Sequence, residues 1–567
     1  MMSHLKKHSL AMAVVAVATA GLLALSGCSS ETGGANGSGN PGESAITVFN
    51  GATGAISENW NPFSPTMLQP TQGVIYEPLY YYNLAAESKP EPILATAFSW
   101  NEDGTELTIT NREGVKWNDG QAMTSKDVAF TFNMIHDNPA LNTSGLNATA
   151  TATDEKTTVL KFETSSFMQE PQILGNQAIV PEHIWSKIAD PTTTINENPV
   201  GTGAYKVKSF NAQSYVLEKN PTYWESGKPE IDSVQYISLA TADAASAALV
   251  AGKVDWMSSF LPNLKEMIGS QKNLSYVNTP VMTTSLFTCS NAALGCKGPQ
   301  TDVAVRQAIF AAMDRTQLNK LAGGDFAAPA SPTLLLPERD KKWIANADDV
   351  EVPQTADVAK AAGILETAGY AKGSDGIYAK DGQRVSLTVQ VVAGWSDYIS
   401  AVQVMTSQLK EAGIELKSVQ LSYNEWSGNQ TKGTFELTMD SIGLGASDNP
   451  YYTYQPRFNS STSAKVGEDA STGGNYSRYQ NKTVDAELVK AAATSDESAQ
   501  KTAYAAIQKE IVRDLPYIPI YVNSTLSEFN TDRATGWPTN ENKYAFPASW
   551  KSWDNGIVLK SLTPAGK

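Results

Sequence analysis

The chain has 567 residues, of which 41% are apolar and 18% are charged, and its formal net charge is −15. This length and composition predict a globular protein with several units of domain size and a large buried core. Nucleic acid is not an expected partner, because phosphate binding needs clustered Lys and Arg and the chain is acidic. The acidity is that of a solubilising surface.

The N-terminus has the pattern of an exported lipoprotein. Two lysines precede an apolar run at residues 10–25, and the small residues Ser26 and Gly27 come directly before Cys28. The run is shorter than the roughly 20 residues that span a bilayer, so residues 1–27 are predicted to be a signal peptide rather than a membrane helix. Lipidation of Cys28 would then anchor the mature protein to the outer face of the bacterial cell membrane. An ordinary secreted protein with an incidental cysteine is the alternative.

A flexible tether is predicted to connect the anchor to the folded protein. Residues 28–44 consist mainly of Ser, Gly, Asn, Glu, Thr and Pro and contain no large apolar residue, so they cannot form a core. The folded part should begin near Ile46 with a strand. The loop after that strand carries Trp60 and Asn61.

The next stretch combines turn signals with a capped helix. Asp-Gly pairs at 103–104 and 119–120 supply the positive φ of tight turns, and apolar residues alternate between the two pairs as in a half-buried strand. Thr124 with Asp127 three residues later forms a capping box, after which apolar residues recur at helical spacing. A hairpin followed by a helix is predicted here.

A βαβ unit is the clearest later pattern. Residues 385–391 alternate as a strand, 398–411 have helical periodicity, and 414–419 begin another strand, with Asp397 as the expected N-cap. Ligands of open α/β sheets bind beyond the carboxyl ends of strands. The residues at that place are therefore candidate ligand contacts, namely Trp395, Ser396 and Tyr398 together with Asp397. Other helices are predicted at 241–253, 302–315 and 355–367.

The chain lacks the motifs of an enzyme. It has no nucleophile elbow, phosphate-binding loop or dinucleotide fingerprint, so no catalytic residue, cofactor or metal site is predicted. Two cysteines that remain, Cys289 and Cys296, are close in sequence with a glycine between them. In an oxidising compartment this spacing favours a local disulfide, whereas a metal site would need more ligands than the two histidines beyond residue 27 provide.

A series of short motifs resembles the family-5 solute-binding proteins of ABC importers, which include oligopeptide and dipeptide binders. The motifs run in the family's order through nearly the whole mature chain: Tyr76-Glu77-Pro78-Leu79, Leu94-Ala95, Arg112-Glu113-Gly114-Val115-Lys116-Trp117-Asn118-Asp119-Gly120, Thr124-Ser125-Lys126-Asp127-Val128, Gly201-Thr202-Gly203-Ala204-Tyr205, Asn220-Pro221-Thr222-Tyr223-Trp224 and Val305-Arg306-Gln307-Ala308. They specify the family far better than the ligand.

The resemblance implies an α/β protein with the two-lobed periplasmic-binding-protein fold of type II, enlarged by an inserted domain. The expected segments are 45–90 (lobe I), 91–199 (insert), 200–300 (lobe I), 301–524 (lobe II) and 525–567 (return to lobe I). It also implies a monomeric binding protein, not an enzyme, that works with permease subunits in the membrane. A secreted glycosidase is a remote alternative.

The same resemblance implies where the ligand binds. In the family, the loop after the first strand lies at the mouth of the binding cleft, so Trp60 and Asn61 are candidate ligand contacts. Peptide binders of the family hold the α-ammonium with an aspartate four residues before a proline. Ala446 stands at that offset here, or Gly445 if the extra residue is placed elsewhere, and Asp448 is the nearest substitute. Trp426 matches the family's Glu-Trp phrase, and this tryptophan lines the pocket in peptide binders. An oligopeptide is the expected ligand, and the missing aspartate and dense aromatics make a β-linked oligosaccharide the alternative. The remaining candidate contacts in this segment are Ser447, Asn449 and Tyr451.

Overall fold

The computed structural model of the protein describes residues 44–566, apart from 143–144, 262 and 471–473. Cys28 and all but the last residue of the predicted tether lie outside the described residues. Within these described residues, no helix is both long enough and apolar enough to cross a membrane.

Strands occur along the whole described chain, and the two longest lie in its middle and near its end. In chain order they are β1 (Ala45–Val48), β2 (Tyr80–Tyr81), β3 (Glu91–Pro92), β4 (Ala95–Trp100), β5 (Glu106–Asn111), β6 (Ala148–Ala152), β7 (Thr157–Phe162), β8 (Tyr205–Asn211), β9 (Ser214–Lys219), β10 (Ser233–Ile237), β11 (Trp256–Met257), β12 (Leu274–Thr288), β13 (Ala371–Lys372), β14 (Tyr378–Lys380), β15 (Gln383–Arg384), β16 (Ser386–Val392), β17 (Glu415–Leu421), β18 (Leu437–Ile442), β19 (Tyr517–Asn530), β20 (Ala534–Thr535) and β21 (Thr563–Pro564).

Helices are concentrated in the second half of the chain. They are α1 (Ser125–Asp137), α2 (Glu170–Gly175), α3 (Glu182–Trp185), α4 (Ala242–Val250), α5 (Leu264–Gly269), α6 (Val303–Ala312), α7 (Arg315–Leu321), α8 (Val358–Thr367), α9 (Ser396–Glu411), α10 (Tyr423–Lys432), α11 (Tyr451–Phe458), α12 (Lys482–Ala492), α13 (Glu497–Asp514) and α14 (Ser552–Ser561). Single 3₁₀ turns lie at Gln69–Thr71, Phe167–Gln169, Ala292–Leu294, Pro299–Thr301, Lys341–Trp343, Ala347–Asp349 and Ser460–Thr462.

A ten-stranded sheet runs through the protein in the order β17-β16-β18-β12-β19-β11-β1-β10-β9-β8. Separate hydrophobic cores lie at its two ends. One core contains Ile46 and Tyr236, and the other contains Val389 and Met405. Two lobes with their own cores, joined through the centre of one sheet, are the two-lobed α/β fold predicted from the sequence.

The strands β12 and β19 connect the lobes. They pair with each other over almost their full length, while β12 also pairs with β18 in lobe II and β19 pairs with β11 in lobe I. The ladder between β12 and β19 shifts register between Pro280 and Met282 and again between Thr284 and Ser285. Irregular pairing of this kind bends strands and weakens the local ladder, so the middle of these strands is where the lobes can hinge.

The inserted region forms a small layer on lobe I. A four-stranded antiparallel sheet has the order β4-β5-β7-β6, and α1 packs against it. The predicted capping box is present, because the Thr124 side chain accepts from the start of α1 and the Thr124 N–H donates to the Asp127 carboxylate at 2.8 Å. The helix predicted from sequence at this place is therefore confirmed.

One predicted helix is interrupted. The apolar stripe predicted a single helix over 302–315, but α6 ends at Ala312 and α7 begins at Arg315. Asp314 caps α7, because its carboxylate accepts from the Gln317 N–H at 2.8 Å. The competing N-cap explains the break, since an aspartate with extended backbone favours starting a new helix over continuing the old one.

Cys289 and Cys296 form a disulfide, with 5.4 Å between their Cα atoms. Both cysteines are buried in lobe II. The positive φ of 100° at Gly295 lets the chain turn between them, as the sequence predicted from the glycine.

Candidate functional site

Three parallel strands of lobe II, β16, β17 and β18, end at the same edge of the sheet. The chain leaves β16 into α9 and β17 into α10, and residues 443–447 follow β18. Because these strands are parallel and their loops lie side by side, this edge is the expected ligand-binding edge of an open α/β sheet.

Four aromatic side chains gather at this edge, and we call them the aromatic quartet: Trp395, Tyr398, Tyr423 and Trp426. The ring centre of Trp395 lies 5.3 Å from that of Tyr398, 6.2 Å from Tyr423 and 5.2 Å from Trp426. Trp395 is therefore the centre of the quartet. The sequence predicted three of these residues as ligand contacts, and the structure brings them together.

Two rings of the quartet are buried, and the other two are partly open to solvent. Tyr398 and Trp426 are almost fully buried, whereas Trp395 is half-buried and Tyr423 is 58% exposed. The indole N–H of Trp426 has no hydrogen-bond partner among the described residues. The exposed ring of Tyr423 and the half-buried ring of Trp395 offer flat apolar surface to a ligand, while Tyr398 and Trp426 pack beside Trp395.

A hydroxyl chain joins the quartet to the hinge. The Tyr398 hydroxyl hydrogen-bonds the Ser441 hydroxyl, which also lies 2.8 Å from the hydroxyl of Thr284. Thr284 stands at one of the irregularities in β12. Burial raises the pKa of Tyr398 to about 12, so its hydroxyl stays protonated at neutral pH. The packing of the quartet is thereby tied to the strand that connects the lobes.

Asp397 is not the N-cap that the sequence predicted. Trp395 occupies the cap position of α9, and Asp397 lies in the first turn next to the exposed Ser396. Its carboxylate accepts a long hydrogen bond of 3.4 Å from the Asn523 side chain. The capping expectation is wrong because the chain enters the helix two residues earlier than the sequence pattern indicated.

A second group of predicted residues borders a cavity of about 680 Å³ between the lobes. Ser447, Asp448 and Asn449 line it from lobe II, and Tyr82 and Glu170 line it from lobe I. The lobes touch directly here, because the Tyr452 hydroxyl donates to the Met168 carbonyl at 2.5 Å. No member of the aromatic quartet lines this cavity.

Asp448 is already paired. The Lys342 ammonium lies 2.8 Å from its carboxylate and 3.6 Å from that of Glu87. A ligand ammonium would have to compete with Lys342 for this carboxylate, which costs more than meeting an unpaired one. The role of Asp448 as an ammonium ligand stays a prediction, and the geometry weakens it.

Asn449 and Tyr451 are engaged within lobe II. The Asn449 side chain accepts from the Tyr451 N–H and the Tyr504 hydroxyl and donates to Gln500. Ala446 is half-buried and carries no polar side chain, so the position that holds an aspartate in peptide binders offers no charge.

Trp60 and Asn61 lie inside lobe I rather than at an open surface. Both are fully buried, and the Asn61 amide donates to the carbonyls of Pro191 and Thr194. The ring of Trp60 packs edge-on against Tyr215 at 5.3 Å. The expectation that they contact ligand is corrected here, because their polar atoms and surfaces are used to anchor the loop to lobe I.

Comparison with known proteins identifies the family. The family model described as bacterial extracellular solute-binding proteins, family 5 Middle, matches residues 89–464. The chain belongs to this family. Protein XP55 of Streptomyces lividans is 30% identical over 438 residues, covering 75% of each chain. The oligopeptide-binding protein AppA of Bacillus subtilis is 27% identical over 462 residues, covering 78% of this chain and 80% of that protein.

Solved structures of one relative extend the likeness to the fold. The periplasmic oligopeptide-binding protein of Thermotoga maritima matches with a TM-score of 0.81 at 25% identity, covering 92% of this chain and 99% of that one. A structure of the same protein with bound mannohexaose matches with a TM-score of 0.71 at 26% identity, covering 93% and 100%. Family-5 solute-binding proteins are the substrate-binding components of transporters rather than enzymes.

Sequence reasoning missed several polar residues of this family-5 protein that lie near the quartet. Thr284, Ser441, Tyr521 and Asn523 are on β12, β18 and β19. Alternation along β19 was the available signal, but the sequence does not reveal that the amino half of this strand borders the first turn of α9.

Proposed function

We propose that the protein is the extracytoplasmic substrate-binding component of an ABC importer and that it binds a neutral oligosaccharide between its lobes. The aromatic quartet is the observation that carries this ligand class. Its partly open rings stand at the carboxyl ends of three parallel strands, and apolar sugar faces pack on flat aromatic surfaces.

Two further observations support an oligosaccharide. The position that matches the aspartate of peptide binders is Ala446 or Gly445, neither of which carries a charge, and the nearby carboxylate of Asp448 is paired with Lys342. The Thermotoga maritima relative, matched over nearly its whole length, has been crystallised with mannohexaose. A neutral ligand needs no buried counter-charge, whereas a buried ammonium does.

The two-lobed fold supports the transport role, because the irregular pairing of β12 and β19 lies between the lobes and would allow them to hinge. A ligand held by both lobes stabilises the closed arrangement, and this is the form that permease subunits would recognise. The protein would act as a monomer, anchored through Cys28, and release its ligand unchanged to the permease. The proposal includes the division of the chain into lobe I, insert and lobe II that was predicted from the sequence.

An oligopeptide is the second candidate, because AppA and the Thermotoga maritima protein are both described as oligopeptide-binding. The half-buried carboxylate of Asp397 beside the quartet would then be a candidate to receive an α-ammonium. The α-ammonium of the peptide would need such a carboxylate, since an unpaired buried ion is costly.

Calorimetric titration of the wild-type protein distinguishes the two ligand classes. We expect saturable binding of at least one of mannohexaose, cellohexaose and xylohexaose, and weak or absent binding of pentapeptides. Recovery of the sugar unchanged after long incubation is expected for a binding protein. Heat with a free-amine pentapeptide that disappears on N-acetylation, together with no heat from any of the sugars, would replace the oligosaccharide proposal with the peptide one.

A further inference from the structure

A polar niche lies beside the aromatic quartet, formed by Asp397, Tyr521 and Asn523. Asp397 is in the first turn of α9, while Tyr521 and Asn523 are alternate residues of β19 and so point to the same side of the sheet. The Asn523 amide reaches the Asp397 carboxylate over 3.4 Å. The niche therefore sits where lobe II meets the hinge.

The hydroxyl of Tyr521 is the unusual feature of the niche. The residue is only 2% exposed, and its hydroxyl has no hydrogen-bond partner among the described residues. Burial raises the pKa of Tyr521, and the nearby Asp397 and Tyr398 raise it further. The hydroxyl therefore remains protonated at neutral pH, and it forms no hydrogen bond with the Asp397 carboxylate. Buried polar groups are rarely left without a partner.

A structural role accounts for only part of this arrangement. A carboxylate in the first turn of a helix is favoured by the helix dipole, which explains Asp397 alone. Packing explains the ring of Tyr521, which belongs to the core of lobe II, but a phenylalanine would pack as well. Packing does not account for the hydroxyl, which has no partner in the part of the chain that the structure describes.

We propose that this niche is the subsite that recognises hydroxyl groups of a sugar unit stacked on the aromatic quartet. One ligand hydroxyl donates to the Asp397 carboxylate, and the Tyr521 hydroxyl donates to a neighbouring ligand oxygen. Asn523 is the third polar side chain of the subsite, since its amide can both donate and accept. Two adjacent hydroxyls on one sugar ring would supply the donor for Asp397 and the acceptor for Tyr521. The inference rests on the proposed oligosaccharide function.

Tyr521→Phe tests the niche with the tightest-binding of mannohexaose, cellohexaose and xylohexaose. We expect the Kd to rise about tenfold, the usual effect of losing one hydrogen bond to a ligand. The melting temperature should not fall, because the removed hydroxyl has no protein partner. Asp397→Asn should weaken binding at least as much, because a hydrogen bond to a charged acceptor becomes one to a neutral acceptor.

Tyr517→Phe is the matched control on the same strand. Its hydroxyl accepts from the Ser477 N–H and donates to the Arg457 carbonyl, so its loss should lower the melting temperature and leave the Kd unchanged. An unchanged Kd in Tyr521→Phe, while the wild type binds the sugar, would overturn the niche alone. If the wild type binds none of the three sugars, the proposed function fails and the niche fails with it.

Discussion

Trp395→Ala is expected to weaken oligosaccharide binding by about 2 to 3 kcal/mol, which is roughly 30-fold to 150-fold in Kd. Trp395 is the ring that contacts every other member of the quartet, at centre-to-centre distances from 5.2 to 6.2 Å. Its loss removes the largest flat surface and loosens the rings beside it. Isothermal titration with the best-binding hexasaccharide measures the effect.

Two variants separate binding from folding in this test. Tyr423→Ala removes a side chain that is 58% exposed, so it should leave stability nearly unchanged and still raise Kd several-fold. Trp224→Ala is the control for loss of a half-buried indole, because Trp224 lies under Arg112 in lobe I and its N–H donates to Glu77. It should lower the melting temperature without changing Kd. Equal Kd values for Trp395→Ala and wild type would contradict the assignment of the quartet.

Gly201→Ala is expected to destabilise the protein by about 3 kcal/mol or more, near the upper end of the usual cost of overpacking. A Cβ at this position would lie 2.0 Å from the Ile75 carbonyl oxygen, which is backbone and cannot rotate away. The close approach holds the Gly201–Gly203 turn against lobe I, because the Gly203 N–H donates to the same carbonyl at 2.9 Å. Urea or thermal denaturation measures the loss.

Gly363→Ala is the matched control for this substitution. Gly363 lies in α8, and a Cβ there would have open space within 4 Å. Alanine should therefore stabilise the protein by about 0.5 to 1 kcal/mol through its better helix propensity. A Gly201→Ala variant as stable as wild type would show that the backbone contact at Ile75 is relaxed in solution.

Local patterns predicted the fold well where the physical cause is local. The capping box of Thr124 and the alternation of 385–391 depend on residues within one turn or one strand, and both gave the observed elements. The order of short motifs then fixed the family and with it the two-lobed architecture. The break between α6 and α7 was missed, because the apolar stripe continues through it while Asp314 acts as a cap.

The site was only partly predictable, because its decisive contacts are distant in sequence. The βαβ pattern and the family phrase predicted Trp395 and Trp426 as ligand contacts, and their ring centres lie 5.2 Å apart. The pairing of Asp448 with Lys342 joins residues 106 positions apart, and the unpaired hydroxyl of Tyr521 is visible only after packing. The prediction that Trp60 contacts ligand was wrong, because a tryptophan in a glycine-rich loop gives the same local sequence pattern whether it is buried or exposed.

Small-angle scattering with and without ligand tests the hinged cleft most directly. At saturating concentration of the best-binding hexasaccharide, the radius of gyration of the wild-type protein should decrease, because a ligand held by both lobes favours the closed form. Trp395→Ala at the same sugar concentration should show a smaller decrease that matches its lower occupancy. Superimposable curves for the free and fully saturated wild-type protein would contradict closure of the lobes about β12 and β19.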